Sequence, residues 1–182
     1  MKIAVLVGSL RKGSFNRMTA NVLVDLAPST LSLEILEIGQ LQMYNQDLDG
    51  TPPSEWTTFR NKLNDYDGVL FVTPEYNRSY PAVLKNAIDV ASRPYGKNVW
   101  NGKPGAIVSV SPGSLGGFGA NHHLRQVLMF LNVPLMQQPE AYIGSAMNLF
   151  DENGNLTDES TYDFLRKFLV AYADWVMKIT KK

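Results

Sequence analysis

The chain has 182 residues, enough to bury one substantial core and too few for two well-separated domains of ordinary size, so one domain spanning residues 1–182 is expected. Lys+Arg and Asp+Glu each number 17, a balance that does not suit a one-signed nucleic-acid-binding surface or any other polyanionic partner. Cysteine is absent, which excludes disulfides, thiolate metal sites, C-x-x-C-H haem attachment and dithiol redox cycling; redox chemistry here would need a bound cofactor.

The opening run Met1-Lys2-Ile3-Ala4-Val5-Leu6-Val7-Gly8 falls far short of the roughly 18 apolar residues of a membrane span, and no signal-peptide cleavage pattern follows. A cytoplasmic protein without a membrane partner is expected, with its first strand over Ile3–Gly8. A helix follows from about Asn16 to Ala27, then a strand over Leu33–Ile38, a helix over Ser54–Asn64 and a strand over Gly68–Thr73. Next come a helix over Ala82–Ser92, a strand over Ala106–Ser111, a helix over Ala120–Leu131, a weaker strand near Pro134–Tyr142 and a helix over Ser160–Ile179. The first, third and fourth strands are apolar at consecutive positions, as when helices cover both faces. Leu124, Val127, Leu128 and Leu131 keep helical spacing and read as core. Strands alternating with helices predict a doubly wound α/β sandwich of three layers, its five-stranded parallel sheet in the order 2-1-3-4-5. Ligands bind such sheets beyond the carboxyl ends of strands one, three and four, so the loops after Gly8, Thr73 and Ser111 are where function is sought.

The first of these loops, Gly8-Ser9-Leu10-Arg11-Lys12-Gly13-Ser14-Phe15-Asn16, leads into a helix whose free N–H groups and dipole favour an anion. The Ser9 and Ser14 hydroxyls, the Asn16 amide and the Arg11 guanidinium all suit phosphate oxygens. Gly8 and Gly13 have Walker A spacing, but Ser14-Phe15 stand where Lys and Ser/Thr are required, and G-x-G-x-x-G is absent. A terminal monophosphate fits better than a nucleoside triphosphate or a dinucleotide, leaving FMN and simple phosphate esters. The plainer alternative is that Ser14 or Asn16 caps the helix while Arg11 and Lys12 are solvated.

The second loop, Thr73-Pro74-Glu75-Tyr76-Asn77-Arg78-Ser79-Tyr80-Pro81, is stiffened by two prolines and suits a planar ligand. Tyr76 offers an aromatic face or edge, and the peptide groups of Glu75 to Asn77 offer polar contacts to a flavin ring. Glu75 reads more readily as a loop or helix support than as an acid or base, and Asn86 and Asp89 as packing residues of the next helix. The third loop, Ser111-Pro112-Gly113-Ser114-Leu115-Gly116-Gly117-Phe118-Gly119, has four glycines that permit close backbone approach to a ligand. His122 and His123 lack an H-E-x-x-H partner and no G-x-S-x-G elbow is present, so both are expected at the surface or an interface.

Together these segments resemble the NADPH-dependent FMN reductase family, which includes quinone, chromate and azo-dye reductases. The likeness is carried by Gly8-Ser9-Leu10-Arg11 with Ser14 and Asn16, by Pro74-Glu75-Tyr76-Asn77 with Ser79 and Pro81, by Leu84-Lys85-Asn86-Ala87-Ile88-Asp89, and by Gly116-Gly117; Gly102-Lys103-Pro104 and Pro139-Glu140 extend it over nearly the whole chain. The resemblance implies a flavodoxin-like homodimer or homotetramer with FMN bound non-covalently. Ser9, Arg11, Ser14, Phe15 and Asn16 would surround the phosphate, Pro74, Glu75, Tyr76 and Asn77 would line the ring, and Ser111 and Gly113 would approach its pyrimidine side. It implies no obligatory side-chain acid: hydride from NADPH or NADH passes to the flavin and then to a small-molecule electron acceptor, in ping-pong fashion. This chain departs from many family members by carrying Ala82 after the second-loop proline and Pro112 in the third loop. Two rival classes remain beside this reading: a flavodoxin-type electron carrier, which the balanced charge does not favour, and a phosphate-ester hydrolase, for which no nucleophile and base are visible.

Overall fold

A computed structural model describes residues 1–181. Five strands, β1 (Lys2–Val7), β2 (Ser32–Leu36), β3 (Gly68–Thr73), β4 (Gly105–Val110) and β5 (Ala141–Ile143), form one sheet in the order β2-β1-β3-β4-β5. Every pairing is parallel, with Ile3 opposite Leu33 and Gly68, Phe71 opposite Ile107, and Val108 opposite Ala141. Five helices connect and flank them: α1 (Phe15–Asp25), α2 (Ser54–Asn64), α3 (Ala82–Ala91), α4 (Phe118–Phe130) and α5 (Glu159–Thr180).

Consecutive apolar residues in the central strands serve two separate cores. Ile3 and Val5 of β1, Leu70 and Val72 of β3 and Val108 of β4 pack with Leu23 of α1 and Phe168, Leu169 and Tyr172 of α5. The alternate residues Ala4, Leu6, Phe71 and Ile107 pack on the opposite face with Trp56 of α2, Leu84 of α3, Leu124 and Leu128 of α4, and Trp100. The period of two along each strand therefore feeds both helical layers, which is why these strands show no polar alternation.

The α2 and β3 boundaries match the sequence expectation, and the other long elements lie within two residues of it. The fifth strand is the exception. Its ladder covers only Ala141–Ile143, with Leu135 contributing an isolated bridge to Gly105. Pro134 and Pro139 cannot donate to a ladder, so pairing is interrupted where the apolar pattern suggested a longer strand. Asn86 is nearly buried and does act as a packing residue: its amide donates to the Leu41 and Gln42 carbonyls and accepts the Tyr44 N–H, tying the segment after β2 to α3.

Tyr172 locks α5 to the sheet. Its hydroxyl lies 2.8 Å from the Val69 carbonyl and 3.1 Å from that of Pro104, and burial pushes its pKa well above the usual tyrosine value, so it stays a protonated donor. Tyr172→Phe is expected to cost about 1 kcal/mol of unfolding free energy, because the buried hydroxyl bond is lost while the Pro104 carbonyl keeps the Val69 N–H at 2.9 Å; urea denaturation measures it. At the sheet edge, Glu34 accepts from Lys62 Nζ and the Tyr66 hydroxyl, and these bonds hold its carboxyl below the ordinary 4.5. A depressed folded-state pKa contributes stability above the unfolded value and loses it as pH falls through the folded value. The two side chains are about half exposed, so Glu34→Gln should cost less than about 0.5 kcal/mol at neutral pH. That difference should vanish in acid, as parallel denaturation series would show.

Candidate active site

All three loops singled out in the sequence meet at the carboxyl edge of β1, β3 and β4. In the first, the Gly8 N–H donates to the Val72 carbonyl at 2.8 Å, extending the β1–β3 pairing, and a Cβ on Gly8 would lie 3.2 Å from Pro74 Cδ, so the first two loops are in close contact. Ser14 is the N-cap of α1: its Oγ accepts the Arg17 N–H at 3.3 Å. The capping alternative is thus realised, yet the hydroxyl proton of Ser14 is still available to donate toward the cleft. Ser9, Ser14 and Asn16 are all nearly buried. Asn16 Nδ2 reaches the Val110 carbonyl at 3.5 Å, while its Oδ1 is buried without any partner. Arg11 is exposed, with its guanidinium 5.4 Å from the centre of the Phe15 ring.

The second loop closes on itself. Tyr76 and Ser79 exchange backbone bonds of 2.8 and 3.0 Å, and the two residues between them, Asn77 (φ 50°) and Arg78 (φ 67°), are both left-handed, as a type I′ turn requires. This turn presents Tyr76 half-exposed at the mouth while Pro74 is buried beneath it. In the third loop, the Ser111 N–H donates to the Ile143 carbonyl at 2.9 Å and Ser111 Oγ accepts the Gly113 N–H at 3.1 Å.

Between the loops lies a cleft of about 480 Å³. It brings together nine residues expected from the sequence: Ser9, Arg11, Ser14, Phe15 and Asn16 from the first loop, Pro74, Glu75 and Tyr76 from the second, and Ser111 from the third. Asn77 and Gly113 are not among its lining residues. Asn77 sits at the tip of the turn, and the Gly113 N–H is turned onto Ser111 Oγ. Val110, Pro112 and Met147 line the cleft without having been singled out. Met147 arrives from a short 3-10 turn, Ala146–Asn148, just past β5; the carboxyl end of every strand in a parallel sheet points to the same edge, and that rule applied to β5 would have located it.

A second groove of about 490 Å³ lies between β2 and α2, but Glu37 and Glu55 line it and disfavour an anion. Among the cations near the main cleft, Arg17 is held by Glu37 at 2.9 Å and Arg78 by Glu75 at 3.3 Å, whereas neither Arg11 nor Lys12 takes part in an ion pair among the described residues. Both histidines are exposed: His123 Nδ1 lies 2.9 Å from Ser79 Oγ, and His122 Nε2 lies 2.9 Å from the Tyr142 hydroxyl. Burial is the main cause that pushes that tyrosine's pKa up to about 12. Among the described residues no cluster of three metal-ligating side chains occurs, and no helix is long and apolar enough to cross a membrane.

The chain is 58% identical over 175 residues to a quinone reductase of Pseudomonas putida, an alignment covering 96% of this chain and 94% of that protein. It is 50% identical over 176 residues to a 2-hydroxy-1,4-benzoquinone reductase of a Burkholderia species, covering 97% and 96%. Among solved structures it superposes with a TM-score of 0.91 on FerB, a flavoenzyme NAD(P)H:(acceptor) oxidoreductase of Paracoccus denitrificans, at 44% identity and 97% coverage of each chain. The family model described as NADPH-dependent FMN reductase matches residues 1–148, which takes in β1 through α4 and all three cleft-forming loops. On sequence and fold together, the chain belongs to the NADPH-dependent FMN reductase family.

Proposed function

We propose that residues 1–182 act as one FMN-binding domain that accepts hydride from NADPH or NADH and delivers reducing equivalents to a small acceptor, with quinones the class favoured by the relatives' names. The observation that carries the reading is the buried, unpartnered Asn16 Oδ1 beside the N-terminus of α1. A buried acceptor without a donor costs free energy, so this atom calls for a ligand hydroxyl, while the neighbouring N–H groups, the serine hydroxyls and Arg11 call for an anion. FMN carries both features on adjoining parts: ribityl hydroxyls for Asn16 and a terminal phosphate for Ser9, Arg11, Ser14 and the α1 N-terminus. Pro74, Tyr76, Ser111 and Pro112 would line its planar ring.

Bound there, the flavin supplies reversible hydride and electron transfer. The chain's own residues bind and orient it, with Tyr76 and Met147 forming an apolar mouth where a flat acceptor or a nicotinamide can rest. One shared mouth supports alternating use by donor and acceptor, hence ping-pong kinetics. The exposed apolar side chains of Tyr95, Met129 and Phe130 support assembly into a homodimer or homotetramer, and a cysteine-free chain suits the cytoplasm. Anaerobic titration of FMN-loaded protein with NADPH and with NADH tests the activity: the yellow colour should bleach with one or both, and a quinone should restore it. Protein that takes up no FMN, or whose bound FMN neither nucleotide bleaches, would refute the proposal.

A further inference from the structure

The side chain of Glu75, one of the residues lining the cleft, is tied by hydrogen bonds to another element and to its own loop. Its carboxylate is only 14% exposed, and its Oε2 accepts the Ala120 N–H at 3.0 Å, across 45 positions of sequence. Ala120 lies in the first turn of α4, whose Phe118 N–H donates to the Leu115 carbonyl at 3.2 Å. Its N-cap is Gly117 in the left-handed conformation (φ 76°), no side chain of its own caps it, and its first turn contains no acidic residue. Glu75 thus provides, from another loop, the acceptor that Ser, Thr or Asp ordinarily provides at a helix start, and its charge faces the positive end of the helix.

The surrounding contacts are built for this approach. A Cβ on Gly119 would lie 3.0 Å from Glu75 Oε2 and 3.2 Å from the Arg78 carbonyl, so a glycine is what lets the second loop come so near α4. Arg78 Nη1 sits 3.3 Å from the other carboxylate oxygen and covers its solvent side. Pro74 and Tyr76, on either side of Glu75, line the cleft, and so do Ser111 and Pro112 at the start of the glycine-rich loop that ends at α4.

We infer that Glu75 is a positioning residue whose carboxylate, by capping α4 from the second loop, fixes the separation of the second and third loops beside the flavin. The inference rests on the FMN-binding reading for its functional consequence, but the capping bond itself does not depend on that reading. Glu75→Ala removes the acceptor, whereas Glu75→Gln keeps a carbonyl oxygen able to accept the Ala120 N–H and loses only the charge.

Two measurements decide it. Hydrogen exchange on the FMN-free protein should show the amides of residues 118–121 exchanging about fivefold faster in Glu75→Ala, the effect of losing a helix cap, and near the parent rate in Glu75→Gln. Fluorescence titration should show the FMN dissociation constant rising about tenfold in Glu75→Ala and staying within about threefold in Glu75→Gln. Unchanged exchange in Glu75→Ala would overturn the capping role. Faster exchange with unchanged FMN affinity would overturn the positioning role, and so would a Gln variant as impaired as the Ala variant, since that would make the charge itself responsible. If the parent protein binds no FMN at all, the proposed function fails while the exchange experiment still reports on Glu75.

Discussion

Ser14→Asp is expected to raise the FMN dissociation constant at least about a hundredfold while leaving riboflavin binding nearly unchanged. Aspartate is as good an N-cap as serine and is favoured by the helix dipole, so α1 should remain intact and the FMN-free protein should melt within a few degrees of the parent. What changes is charge. Ser14 is a nearly buried lining residue of the cleft, as are Ser9 and Asn16, and the proposed function puts the phosphate beside it, where a carboxylate would oppose it. Two like unit charges about 4 Å apart repel by about 4 kcal/mol at an effective dielectric constant near 20. Screening through the open mouth reduces this, and the two to three kcal/mol that remain correspond to about two orders of magnitude in affinity. Riboflavin has no phosphate and supplies the control. Equal loss of both flavins would point to a collapsed cleft, and retention of FMN would place the phosphate elsewhere.

How far the sequence reveals this site depends on how local each feature is. Ser14 lies three residues before Arg17, and a hydroxyl residue just ahead of an amphipathic stretch announces both a cap and an anion site, so the first loop could be read directly. Burial of the central strands on both faces followed from consecutive apolar residues such as Val69-Leu70-Phe71-Val72, and the strand order from the alternation of five strands with five helices. Pairings that span the chain left no such trace. Nothing near Glu75 indicates that its carboxylate meets the Ala120 amide, and nothing near Asn16 indicates that one of its amide atoms is left without a partner. A local bond can be just as silent: the Gly113 N–H donates to the Ser111 hydroxyl two residues earlier, which the run of glycines in that loop did not indicate. The engagement of Arg17 by Glu37 and of Arg78 by Glu75 was equally invisible, since nothing in the sequence indicates which carboxylate meets which of the cations near the cleft.

The third loop passes close to the backbone of β5 at Gly116, and Gly116→Val should break that approach, destabilising the protein by about 3–6 kcal/mol. Gly116 has φ 60°, a conformation that β-branched residues rarely adopt. A Cβ there would lie 2.6 Å from the Tyr142 carbonyl carbon, 2.8 Å from its oxygen and 2.9 Å from the Ile143 nitrogen. These are backbone atoms of β5, a strand fixed to β4 through Val108–Ala141 and its neighbours, so they cannot move aside as a flexible side chain would. The loop must lift instead. Lifting it weakens the Ser111 N–H bond to the Ile143 carbonyl and the Ser145 N–H bond to the Gly113 carbonyl, and it carries Ser111 and Pro112 away from the cleft. Gly113→Ala is the internal comparison: its Cβ would meet only Ser111 Oγ, at 3.6 Å, and the residue lies outside the left-handed region, so the stability change should be under about 1 kcal/mol. Thermal melts of both variants without FMN, followed by FMN titration of Gly116→Val below its melting temperature, separate the fold from the site. A Val variant that melts like the parent would show that β5 yields, and one that melts early yet binds FMN normally would show that the third loop is not a wall of the flavin cleft.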